Sequence, residues 1–140
     1  MKFMLLIYND ESLVDTLPEG RYDAMMRDCF SHADELRHEG RLLDSQQLED
    51  ASTARSVRVR NGRTTAVDGP YAEAKEVLGG FWIIDVPSRA AAIEWASRCP
   101  GGDNEVIEVR QIQEMEDFPA DVQAVAGEFT SMQTVKKTGA

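Results

Sequence analysis

The chain has 140 residues, 42% of them hydrophobic and 29% charged, with 15 Lys and Arg against 25 Asp and Glu for a formal net charge of −10. That length suits a single domain, able to bury roughly 68–70% of the surface its unfolded chain exposes without a disulfide staple. The acidic balance speaks against sequence-independent nucleic-acid binding, which draws its affinity from Lys and Arg neutralising phosphates, and against anionic membrane surfaces.

From Phe3 to Tyr8 nearly every residue is apolar, the pattern of a strand buried on both faces. The run meets Asn9, Asp10 and Glu11 without a small-residue cleavage site, so it reads as a strand and not as an export signal. A cytoplasmic protein with Cys29 and Cys99 as reduced thiols is therefore expected. The apolar stretches at 3–8 and 81–86 fall far short of the ~20 residues a membrane-spanning helix needs. Thr16-Leu17-Pro18-Glu19 has the form of a capping box and predicts a helix over 18–39 that stops at Gly40. Tyr22, Met25, Cys29, Ala33 and Leu36 share one stripe of it. A second strand is expected over 41–49.

Residues 56–60 and 63–67 alternate around Asn61-Gly62, the strongest short-range hairpin signal. The implied register sets Arg60 opposite Arg63 and Arg58 opposite Thr65. Like charges facing each other are destabilising, so this face calls for acidic groups from the tail or a partner, or for an anion, unless it is simply solvated. Asp68-Gly69-Pro70 ends the hairpin, and Glu73-Ala74-Lys75-Glu76 leads through Gly79-Gly80 to a strand at 81–86, again apolar on both faces. Pro87-Ser88 caps a helix over 88–98, with Ala92, Trp95, Ala96 and Cys99 at helical spacing, and Pro100-Gly101-Gly102 ends it. A strand near 104–112 has the mixed pattern of a sheet edge. Beyond Glu114 the chain is polar, with a weak helical pattern from Phe118 to Phe129, which divides it into a domain at 1–113 and an extension at 114–140.

This order is α+β: a ferredoxin-like βαββαβ sandwich with a β-hairpin inserted between its second and third core strands. Two helices cover only one sheet face, whereas the two central strands are apolar on both. A homodimer packing sheet against sheet with two-fold symmetry is the simplest cover, and the tail of the same chain is the alternative.

Asp68, Glu73, Lys75 and Glu76 crowd into nine residues. Around a pocket they would supply a general base (Asp68) and a ligand clamp (Glu73, Lys75 and Glu76). Equally, they fit a solvated turn held by Asp68. His32 falls on the apolar helix face with Asp28 four residues earlier, an acid–base dyad or a helix-edge histidine satisfied by a carboxylate. His38 reads as a partner of the helix C-terminal dipole. Cys29 and His32 lack the paired spacing of a zinc site, and no glycine-rich phosphate loop opens a helix, so no metal or cofactor is expected.

The segment Asp68-Gly69-Pro70-Tyr71-Ala72-Glu73-Ala74-Lys75-Glu76-Val77-Leu78-Gly79-Gly80-Phe81 resembles the signature of the YCII-related proteins, in the branch named for an Asp-Gly-Pro-Phe (DGPF) motif. The likeness extends to Lys2 to Tyr8, to Glu94-Trp95-Ala96 with Cys99-Pro100, and to Ile107-Glu108-Val109-Arg110, covering roughly residues 1–113. Tyr71 replaces the motif's Phe and Ala74 its usual Thr, which removes a hydroxyl. The resemblance implies a dimeric α/β-barrel fold and little chemistry, since most members are uncharacterised. Some relatives are encoded beside or fused to extracytoplasmic-function sigma factors, and more distant ones have been proposed as enzymes using a His–Asp pair. Two functions stay open. One is a small-molecule binder or enzyme with Asp68, Lys75, Glu76 and His32 around a pocket. The other is a non-catalytic regulatory module, linked to sigma-factor-dependent transcription, that meets a protein partner through the hairpin or the tail. Convergence in a concave pocket favours the first, exposure to open solvent the second.

Overall fold

The computed structural model describes residues 1–71, 74–99 and 105–129. Its elements follow in the order β1 (Lys2–Asn9), α1 (Glu11–Val14), α2 (Arg21–His38), β2 (Leu42–Gln47), β3 (Arg55–Arg60), β4 (Arg63–Asp68), β5 (Val77–Asp85), α3 (Arg89–Ser97), β6 (Val106–Gln111) and α4 (Ala120–Gly127), with short 3-10 turns at Ala51–Thr53 and Met115–Asp117. The architecture is mixed α+β. Four strands form an antiparallel sheet in the order β2-β5-β1-β6, so the two apolar strands β1 and β5 are central and the mixed β6 is an edge, as their patterns require.

Alternation along β1 sends Phe3 and Leu5 to one face, opposite Ile84 and Trp82 of β5. Ala33 and Leu36 of α2 and Ala92 and Trp95 of α3 complete the core there. Each large side chain so buried contributes about 1.5–3 kcal/mol. On the other face Met4 pairs with Ile83 and Leu6 with Phe81, a contiguous apolar strip that stays half-buried.

Two boundaries differ from expectation. The helix expected over 18–39 runs from Arg21 to His38, and a separate short helix, α1, precedes it, its N-terminus capped by Asp10, which accepts from the Ser12 amide at 3.0 Å. The Thr16 hydroxyl bonds back to the Leu13 carbonyl at 3.0 Å, so no capping box forms with Glu19. α2 then begins after Gly20, whose φ of 78° lies in the left-handed region. Burial in α2 is confined to His32, Ala33 and Leu36, and Tyr22 is left exposed. Strand β5 starts at Val77, ahead of the expected residue 81, and draws Gly79-Gly80 into the ladder. A Cβ on Gly80 would stand 2.8 Å from the Gln46 carbonyl oxygen, so this strand pair approaches more closely than a side chain permits.

The hairpin takes the expected register, Arg60 opposite Arg63 and Arg58 opposite Thr65, around Asn61 (φ 50°) and Gly62 (φ 74°). It is a separate two-stranded sheet. Its base is tied by the Gly69 amide to the Ala54 carbonyl (2.8 Å), by the Ser56 hydroxyl to the Gly69 carbonyl (2.8 Å), and by an Arg55–Asp68 ion pair (3.3 Å). Ser88 caps α3 as expected, accepting from the Ala91 amide, and neither cysteine is in a disulfide. Among the described residues no helix is long and apolar enough to cross a membrane.

Candidate functional site

Three loops are knitted together where β1 ends. The Glu11 carboxylate accepts from the Ala51 amide at 3.0 Å, the Leu48 amide donates to the Gly79 carbonyl at 2.8 Å, and the Gly69–Ala54 bond closes the hairpin base. Asn9 lies at this junction, paired across the ladder with Val77. Among the described residues its Oδ1 is buried without a hydrogen-bond partner, and a Cβ on Gly79 would stand 2.5 Å from it. Gly79 therefore makes room for the Asn9 amide. A buried acceptor left bare costs about 1–3 kcal/mol, so this oxygen calls for a donor.

Charged groups surround the junction. Asp50 accepts from the Ser52 amide at 2.9 Å, and the Ser52 hydrogen bonds hold its carboxyl below the ordinary range. Asp68 meets Arg55 while its side chain stays open to solvent; Lys75 and Glu76 are exposed, and Glu76 directly precedes the residue paired with Asn9. Glu73 lies outside the described residues.

His32 occupies a different place. It is only 7% exposed, its Nε2 stands 3.2 Å from the Trp95 carbonyl, and its ring packs between Trp82 (5.4 Å) and Trp95 (5.2 Å). Facing a carbonyl, Nε2 carries the hydrogen and donates. Burial lowers the imidazole pKa, against the opposing pull of the Trp95 carbonyl; Arg98 lowers it further and Glu35 raises it. Asp28 is exposed one turn away. Trp82 is six residues along the strand from Glu76, roughly 20 Å at the usual rise per residue. Lys75 and Glu76 thus lead into the Asn9 end of β5, Asp68 lies at the base of the hairpin against Arg55, and His32 is buried against Trp82 and Trp95. Asn9 escaped the sequence reading, although an amide ending an apolar strand and a double glycine on the facing one were both visible. His38 sits in the last turn of α2, its Nδ1 2.8 Å from the Asp34 carbonyl.

A cleft of about 450 Å³ lies instead between α3 and β6, lined by Ile93, Ala96, Ile107 and Val109 together with Cys99 and Glu105. The Cys99 thiol is pushed up to about 12, by burial first and then by Cys29 and Glu105. Burial, with Glu105 and Asp28, raises Cys29 as well. Both thiols are protonated near neutral pH, which makes them poor nucleophiles. Among the described residues no three His, Cys, Asp or Glu side chains are grouped to hold a metal ion.

The model of the YCII-related domain matches residues 1–116, which take in the whole sheet, the hairpin and the three-loop junction. The chain belongs to the YCII-related family. This YCII-related protein is also 33% identical over 96 residues to an uncharacterised protein of Rhizobium meliloti, across 69% of this chain and 77% of that relative. The family match ends at residue 116, so α4 lies beyond it.

Proposed function

We propose that this YCII-related protein is a cytoplasmic homodimer that binds a small polar molecule at the three-loop junction. The buried Asn9 Oδ1, without a partner among the described residues, carries the reading: it requires an N–H or O–H donor, and it lies beside the segment that brings Lys75 and Glu76 into β5. Lys75 would clamp the ligand electrostatically with Glu76 beside it, and Glu73, outside the described residues, is the further candidate. Asp68 would serve as general base were the ligand a substrate. His32, with Asp28 a turn away, is the second candidate for proton transfer, available once its bond to Trp95 opens.

The sheet order β2-β5-β1-β6, with α2 and α3 on one face, supports a ferredoxin-like sandwich of the dimeric α/β-barrel type. Asp68-Gly69-Pro70-Tyr71 supports the DGPF branch. In this reading the strip of Met4, Leu6, Phe81 and Ile83 is the dimer seam, made by residues 1–113, and 114–140 is an extension from it. A regulatory module tied to sigma-factor-dependent transcription is the second reading, favoured by the exposure of Asp68, Lys75 and Glu76.

Native mass spectrometry of the purified protein tests the choice. A dimer of twice 15.6 kDa carrying an extra non-covalent mass is expected, and Asn9→Ala and Lys75→Met should lose most of that mass. A ligand-free dimer would favour the regulatory module. A ligand retained equally by both variants would move the site elsewhere.

A further inference from the structure

Among the described residues two elements pack only sparsely on the rest of the chain. Hairpin strands β3 and β4 pack extensively only on each other, and α4 on no other element. On one face of the hairpin Val57 and Val59 are 69% and 65% exposed, with Ala66 opposite Val57. Arg58, Arg60 and Arg63 occupy the other face. Among the described residues none of the three has a carboxylate at ion-pair distance, and Arg58 has only the Tyr71 ring, 6.0 Å away. A lone two-stranded ribbon is marginal in water, and an exposed apolar ribbon invites pairing.

The second element is its chemical complement. Residues 114–128 hold five carboxylates, Glu114, Glu116, Asp117, Asp121 and Glu128, and no Lys or Arg. Glu114 pairs with Lys2 and Asp117 caps the Glu114 amide, while Glu116, Asp121 and Glu128 have no ion pair among the described residues. At helical spacing Val122, Val125 and Phe129, all exposed, form a stripe with Asp121 and Glu128 along its edge.

We propose that the β3–β4 hairpin is an exchange arm that docks on the acidic 114–128 segment of a second copy. The inference rests on the homodimer proposed above and adds the arms to it. Two-fold symmetry then gives two such docks per dimer, the arginine face of the ribbon laid against the carboxylates of the acidic segment. Charge favours this occupant: the arm is cationic on a chain of net charge −10, and the acidic segment is always present at equal concentration.

Full-length protein provides the test. In Arg60→Lys, zero-length carbodiimide cross-linking of a mixed ¹⁵N/¹⁴N population should join the hairpin peptide to the 114–128 peptide between differently labelled protomers. In sedimentation, the triple variant Arg58→Glu, Arg60→Glu and Arg63→Glu should weaken dimerisation at least about tenfold at low salt. Adding Glu116→Arg, Asp121→Arg and Glu128→Arg should restore it, and circular dichroism would report that the sheet is intact in each. A stable dimer with links only within one protomer, or with none, overturns the exchange arm and leaves the homodimer standing. A wild-type monomer at micromolar concentration overturns both.

Discussion

Strands β1 and β5, and strands β3 and β4, are both antiparallel ladders, yet they are held by different physics. The first pair is buried on its helix face among Phe3, Leu5, Trp82 and Ile84, and its neighbours on both sides are strands of the same sheet. The second has a turn fixed by Asn61-Gly62, and every residue of β4 is exposed. A dipeptide in the left-handed region is enough to set register. It does not supply burial, and burial is what makes a ladder resist unfolding.

The largest test of that contrast is truncation on each side. Leu5→Ala, fully buried in the sheet, should destabilise by about 2–5 kcal/mol in urea unfolding. Val59→Ala should cost less than about 0.5 kcal/mol in the monomer, any larger effect being confined to dimer dissociation. Equal losses at the two positions would break the distinction. Backbone crowding should come next: Gly80→Ala forces a Cβ against the Gln46 carbonyl oxygen and should cost about 1–3 kcal/mol by the same measurement. At the hairpin turn, Gly62→Ala meets open space but a φ of 74°, so about 1–2 kcal/mol of strain falls on the ribbon alone, visible as faster amide exchange in β3 and β4 with β5 unchanged.

The smallest effect is a pH slope. Burial holds the His32 pKa below its ordinary 6.5, so the unfolded chain takes up the proton more readily. The stability contributed by the neutral imidazole is complete above that value and declines as pH falls below it towards the folded pKa. Denaturation midpoints measured across this window should drop with acidification, and His32→Gln should flatten the drop. An unaltered slope would mean that other groups set the acid sensitivity.

Sequence alone located the elements that carry local signals: the Asn61-Gly62 hairpin, the Ser88 cap, the doubly apolar β1 and β5 and the edge strand β6. The start of α2 was set a few residues early because Thr16 and Glu19 imitate a capping box, while Asp10 caps the separate short helix α1 and Gly20 begins α2. Tyr22 joined the expected stripe because periodicity records which side of a helix a residue takes, not how far along the helix the sheet extends. At the site, the charged loop was legible from composition. The Asn9 oxygen, without a partner among the described residues, was not, because it arises from the close approach of Gly79 on a strand 70 residues further along the chain.

What faces Asn9 Oδ1 decides the central claim. A crystal structure of the purified protein at atomic resolution, with nothing added, should show non-water density donating to that oxygen and extending to Lys75 or Asp68. A single ordered water completing its hydrogen bonds, with the loop side chains turned to solvent, would contradict the account.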